Sequence, residues 1–219
     1  MGRMTPLDSV EISTGIEPSL SVIWLHGLGA DGHDFEPIVA ELSLPFAARF
    51  VFPHAPERSV TINAGLRMRA WYDIFSLDAG PEDEAGIRAS AEALKGLIEV
   101  ELDRGQTADR IVLAGFSQGG AVAMHTALRY EQPLAGLLVL SSYLPLAASL
   151  PVEKAAANAR IPICMSHGLA DPVIPLAVAE RSVECLRSEG YQVEWTTYPM
   201  PHSVCAAQIR DLNAWLSRL

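Results

Sequence analysis

Short runs of apolar and β-branched residues punctuate the chain: SVIWLH (21–26), RFVFP (49–53), RIVLAGF (110–116), GLLVLSS (136–142), IPICMSHG (161–168) and VEWTTYP (193–199). Most are apolar without alternation, as expected of strands covered on both faces, and they predict a parallel sheet packed between helices. A weaker run, VEIS near the N-terminus, fits an edge strand. Helical spacing fills the intervals. From Ile87 the apolar residues Ala91, Leu94, Ile98 and Leu102 share one face, with Pro81 upstream and Gly105 as a stop. Ile209, Leu212, Leu216 and Leu219 form a C-terminal stripe, with Trp215 beside it. Repeated strand–helix alternation predicts an α/β fold: a mostly parallel, twisted sheet with right-handed crossovers and helices on both faces. No internal repeat or linker interrupts the pattern, so residues 1–219 read as one domain.

Residues 54–80, HAPERSVTINAGLRMRAWYDIFSLDAG, break this rhythm, because they are too long for an ordinary connection between strand and helix. The segment carries Trp71, Tyr72 and Phe75. It fits either a functional loop or a surface hairpin packed by its own aromatics.

The chemistry is concentrated in AGFSQGG, where Gly115, Ser117 and Gly119 spell G-x-S-x-G between an apolar run and the helical AVAMHTAL. A strand that turns this tightly into a helix forces the central serine into a strained conformation, and glycines two residues to either side avoid the clash. The hydroxyl then projects from the turn, and the Gln118 N–H heads the helix. A serine needs a base to take its proton, and the base needs an acid to orient it. In nucleophile-elbow folds the order is serine, acid, histidine. Of the six histidines only His202, in YPMPHSV, follows a plausible acid loop. That loop is SHGLADPVIP, and it supplies Asp171. Glu180 and Glu184 read as solvated helix face, and Glu194 lies inside a strand. His26 reads as a structural histidine, His125 and His167 as packing residues, and Met165 and Phe116 as core or pocket floor.

HGLGADG (26–32) admits two readings. Gly27, Gly29 and Gly32 match the G-x-G-x-x-G of a dinucleotide-binding turn, but that turn requires an acid at the end of the second strand to hold the ribose. Here the second strand ends FVFPHAP, without one. The alternative is an oxyanion loop, whose small residues let the backbone approach Ser117 so that an N–H at Leu28 joins that of Gln118. This reading also accounts for Ser117, Asp171 and His202.

Bulk properties remove several function classes. A net charge of −10 disfavours nucleic acid and anionic lipid surfaces. No stretch is apolar for long enough to insert stably in a membrane, and MGRMTPLDSV has no signal-peptide core. Cys164, Cys185 and Cys205 are odd in number and too widely spaced for metal-ligand pairs, so they read as free thiols of a cytoplasmic protein. Neither a metal nor an organic cofactor is expected. The partner expected is a small acyl ester, and a homodimer is left open.

WLHGLGADGHDF, MRAWYDI, LAGFSQGGAVAMHTAL and HGLADPVIP together resemble the cap-less bacterial carboxylesterases of the acyl-protein thioesterase and lysophospholipase-like (phospholipase/carboxylesterase) family. The resemblance runs from about residue 20 to the C-terminus. It implies an α/β-hydrolase fold without a lid domain, a triad of Ser117, Asp171 and His202, and oxyanion donors at Leu28 and Gln118. Trp71 and Tyr72, with Phe75 and Val173, are expected to line the acyl pocket. One residue departs from the family pattern: Pro201 precedes His202, where relatives place glycine, and its fixed φ is expected to rigidify or shift that loop. The expected reaction is hydrolysis of short- to medium-chain acyl esters, roughly C4 to C10, since each buried CH2 adds about 0.8 kcal/mol until the groove is filled. A thioesterase or lysophospholipase is the alternative, and a catalytically silent hydrolase-fold binding protein a remote one.

Overall fold

The computed structural model describes residues 7–76 and 80–219; most of the N-terminal MGRMTPLDSV and residues 77–79 of the long segment lie outside them. Nine strands are present among the described residues: β1 (Ser9–Ser13), β2 (Leu20–Leu25), β3 (Ala48–Pro53), β4 (Glu57–Val60), β5 (Leu66–Arg69), β6 (Ile111–Phe116), β7 (Gly136–Leu140), β8 (Ile163–Gly168) and β9 (Val193–Tyr198). Seven of them form one sheet in the order β1-β3-β2-β6-β7-β8-β9. The VEIS run is the edge strand β1, antiparallel to β3, and the remaining pairs in the sheet are parallel. β8 starts two residues later than its apolar run, because Pro162 has no N–H for the ladder and only its carbonyl is used, by the Leu137 N–H at 2.9 Å.

Both faces of the sheet are covered, and this explains the absence of alternation. Ile23, Leu25, Leu113, Val139 and Met165 pack on one side, beneath helices α1 (Glu84–Asp103) and α2 (Gln118–Ala127). Val22, Trp24, Phe52, Ala114 and Leu140 face the other side, where Leu212, Trp215 and Leu216 of the C-terminal helix close the core. Along α1 the predicted stripe of Ile87, Ala91, Leu94 and Ile98 is buried, and Leu102 packs at its margin. A short helix α3 (Leu150–Glu153), then α4 (Leu176–Ser188) and α5 (Ala206–Leu216), complete the set. Between β7 and β8 the chain forms only α3 and brief 3-10 turns, so no helical lid lies there.

The long segment holds the antiparallel β4–β5 hairpin, paired from Glu57–Arg69 to Val60–Leu66. It sits against the loop after β2, where the Gly29 N–H donates to the Arg69 carbonyl at 2.9 Å. Beyond the hairpin the chain dives inward. Trp71 and Tyr72 are 1% and 2% exposed and belong to the core under α1 and α2. The segment therefore contains a hairpin, and its first two aromatics lie in the core.

Asp83 holds this segment to α1. Its Oδ1 caps the helix by accepting the Gly86 N–H at 2.9 Å, and its Oδ2 accepts the Asp73 N–H at 2.8 Å. Asp83→Ala removes both contacts and is expected to lower the unfolding free energy by about 1–2 kcal/mol, read as a shifted urea midpoint at unchanged slope. An unshifted midpoint would mean that the cap and tether carry no net stability.

Candidate active site

Ser117 joins β6 to α2 with φ 54° and ψ −123°. The flanking glycines are dictated by contact. A Cβ on Gly115 would meet the Gly119 carbonyl oxygen and the Gly120 nitrogen at 2.5 Å, and one on Gly119 would meet the His26 carbonyl oxygen at 2.5 Å. The helix start is pressed directly onto β2 and β6. The strained turn is held by its main chain. The Ser117 N–H donates to Leu140 O at 2.9 Å, while Ser117 O accepts the Ser142 hydroxyl at 2.7 Å and the Ala121 N–H at 3.2 Å.

The loops after β8 and β9 bring Asp171 and His202 together. His202 Nδ1 donates to Asp171 Oδ2 at 2.7 Å, and Asp171 Oδ1 accepts the N–H groups of Val173 and Ile174 at 2.8 and 2.9 Å. The Asp171 carboxylate is fully buried, whereas the His202 side chain keeps 15% exposure. The Phe116 ring lies 4.7 Å from that of His202, so the residue before Ser117 carries the imidazole against the elbow. Pro201 does not spoil this geometry. The Met200 carbonyl accepts the Ala170 N–H at 3.2 Å, tying the histidine loop to the acid loop, and the Pro201 carbonyl packs where a Cβ on Gly168 would stand.

The loop after β2 approaches from the other side: a Cβ on Gly27 would lie 3.4 Å from Ser117 Cβ. His26 Nδ1 contacts the Gly27 carbonyl at 2.7 Å, and His26 Nε2 accepts the Ala55 N–H at 3.0 Å. The second contact makes Nδ1 the protonated nitrogen of a neutral ring. Burial first of all pushes its pKa down to about 4, in agreement with that state. Across a trans peptide the Leu28 N–H points opposite to the Gly27 carbonyl, so the ring that captures the carbonyl also sets the direction of the N–H. Among the described residues neither the Leu28 nor the Gln118 N–H has a protein acceptor.

The expected pocket residues divide. Phe75 and Val173 are exposed, at 43% and 40%, whereas Trp71 and Tyr72 are interior, at 1% and 2%. Both belong to the core cluster beneath α1 and α2. The Tyr72 hydroxyl pairs with that of Tyr143 at 2.7 Å. His167 was read as packing alone, yet its Nε2 lies 3.2 Å from Asp171 Oδ2 while contacting Ile174 O at 2.8 Å. Its place four residues before the acid, in SHGLAD, is the signal that could have found it. The cysteines are free, and burial pushes the Cys164 thiol up to about 12. Among the described residues no cluster of three or more His, Cys, Asp or Glu side chains could hold a metal, and no helix is long and apolar enough to cross a membrane.

The fold is that of an α/β hydrolase, and the protein is a serine hydrolase. The chain belongs to the Phospholipase/Carboxylesterase family, whose model matches residues 8–219. It is 38% identical over 225 residues to acyl-protein thioesterase 1 of Mycosarcoma maydis, covering 94% of this chain and 93% of the relative. With acyl-protein thioesterase 1 of Neurospora crassa it shares 40% identity over 209 residues, covering 90% and 85%. The crystal structure of Arabidopsis thaliana SOBER1 superposes with a TM-score of 0.86 at 28% identity, covering 91% of this chain and 98% of that one. Both curated relatives are fungal, so they lend no support to the bacterial part of the resemblance.

Buried neutral histidines have a consequence for stability. His26 is held down to about 4 and His125 to about 3, in both cases chiefly by burial. Below their unfolded value of about 6.5 the unfolded chain takes up these protons first, so stability is lost as pH falls from 6.5 towards 4. Exposed His33, raised by Glu36, acts in the opposite sense. Urea unfolding between pH 7 and 4.5 is expected to show decreasing stability with acidification, with a smaller slope in His125→Leu. A slope unchanged by that substitution would mean that His125 does not titrate on unfolding.

Proposed function

We propose that the protein hydrolyses acyl thioesters through an acyl-enzyme on Ser117, with oxyesters cleaved by the same machinery. The observation that carries this reading is the His202–Asp171 pair held against the elbow by Phe116. His202 takes the Ser117 proton as the hydroxyl attacks the acyl carbonyl, and Asp171 holds the imidazole in the tautomer whose free nitrogen is Nε2. Negative charge developing on the carbonyl oxygen falls to the Leu28 and Gln118 N–H groups. The thiol leaves, and water, activated by His202, releases the acid. No cofactor enters any step.

The preference for thioesters over the short- to medium-chain carboxylesters expected from sequence is supported by the names of the relatives, acyl-protein thioesterase 1. Chemistry favours it as well. A thiolate is a far weaker base than an alkoxide, so its departure asks less of His202 as acid. Phe75, Val173 and Leu169 offer exposed apolar contact for an acyl chain without enclosing it, which suits a substrate presented on a larger carrier. We read the whole chain as one hydrolase domain, and a cytoplasmic setting fits its three free thiols.

Matched S-octanoyl and O-octanoyl substrates test this. We expect a higher kcat/KM for the thioester, a loss of at least about 10³-fold in Ser117→Ala, and a loss of similar order in Asp171→Asn from the wrong tautomer. Preference for the oxyester would restore the carboxylesterase reading. A Ser117→Ala protein with retained turnover would remove the acyl-enzyme.

A further inference from the structure

Trp71 is the largest side chain near the elbow that hydrolysis itself does not use. At 1% exposure it cannot form much of a substrate wall, yet every polar group it owns is engaged. Its indole Nε1–H donates to the His26 carbonyl at 2.9 Å, and its main-chain N–H donates to Gln118 Oε1 at 2.8 Å. Its carbonyl accepts the buried Ser90 hydroxyl of α1. The Gln118 amide completes a clamp by donating to Tyr72 O at 2.7 Å. His26 is followed by the glycine–leucine peptide that carries one expected oxyanion donor, and Gln118 carries the other. One residue is therefore bonded to both sides of the site.

We propose that Trp71 is a positioning residue for the oxyanion hole: it ties the loop bearing Leu28 to the helix start bearing Gln118 and so sets the separation of their N–H groups. The inference rests on the oxyanion roles proposed above. The indole holds the His26 carbonyl, and the His26 ring, 5.2 Å from the indole, holds the next carbonyl. Two successive peptide planes are thus held, and the Leu28 N–H has one direction left. On the other side the Gln118 side chain is anchored in the 71–72 main chain, which restrains the residue whose N–H heads α2. Without the indole bond the His26 carbonyl would keep its contact with Gly119 but lose its only side-chain donor among the described residues, and the loop could shift. A shift of a few tenths of an ångström matters to a hole that must match a tetrahedral oxygen rather than a ground-state carbonyl.

The test replaces Trp71 by 3-benzothienylalanine, which keeps the ring volume and lacks only the N–H, with 7-azatryptophan as the variant that retains it. Trp71→Phe serves as a genetically encoded companion, and thermal unfolding shows which proteins are folded at the assay temperature. In the folded benzothienyl protein we expect kcat to fall about 10- to 100-fold at nearly unchanged KM, equally for acetyl and octanoyl substrates. Affinity for an alkyl trifluoromethyl ketone should fall in parallel, and the azatryptophan protein should stay near wild type. Unchanged kcat and ketone affinity would overturn the inference, as would a loss confined to octanoyl substrates, which would return Trp71 to the acyl wall. The two levels separate cleanly. If the ketone fails to add to Ser117 in the wild type, the proposed function falls first; if it adds there and the benzothienyl protein binds it equally well, only the role of Trp71 falls.

Discussion

The close approach of the first turn of α2 to β2 and β6 is the contact on which the site depends. Its mark is the absence of space for a Cβ at Gly115 and Gly119, and its cost is a serine at φ 54°. A non-glycine residue held in such a region costs on the order of 1–3 kcal/mol and persists only where its surroundings over-determine it. Here all ten residues of α2 are buried, and the Ser117 main chain is bonded on both sides, to Leu140 and to Ser142 and Ala121. The same approach presses the helix onto the His26 carbonyl, so the turn at Ser117 and the loop after β2 share one wall.

Around that wall several polar groups are held by specific partners. His26 is kept neutral by burial and spends both nitrogens on main chain, which makes it a rigid spacer in place of a second base. The Asp171 carboxylate, out of solvent, has backbone N–H groups on one oxygen and imidazole nitrogens of His202 and His167 on the other. A buried carboxyl group contacted on both oxygens is fixed in place, and in the proposed reaction a fixed Asp171 lets His202 act from a single orientation. The hydrogen bonds of Trp71 and Gln118 extend the same logic to the proposed oxyanion side. Phe75 and Val173, by contrast, remain exposed.

The sheet was legible because burial on both faces writes continuous apolar runs, and Ile23 and Trp24 show the consequence by packing on opposite sides. The elbow was legible because its glycines answer to a steric demand that leaves a short, fixed spacing. The meeting of Asp171 and His202 was legible from their places after β8 and β9. The burial of Trp71 and Tyr72 was not legible, because a long polar loop around them resembles surface and no local pattern reveals that the chain turns under α1 after Arg69. His167 escaped notice for a related reason. A histidine at a strand end among apolar neighbours looks like packing, and only the turn that folds Asp171 back over it shows the contact.

The account is tested most directly by a crystal structure of the protein with an alkyl boronic acid, which forms a tetrahedral adduct on a nucleophilic oxygen. The account predicts boron bonded to Ser117 Oγ and one boronate oxygen about 2.7–3.1 Å from both the Leu28 and the Gln118 N–H. An adduct on another residue, or a boronate oxygen turned to solvent with those two N–H groups unused, would contradict it.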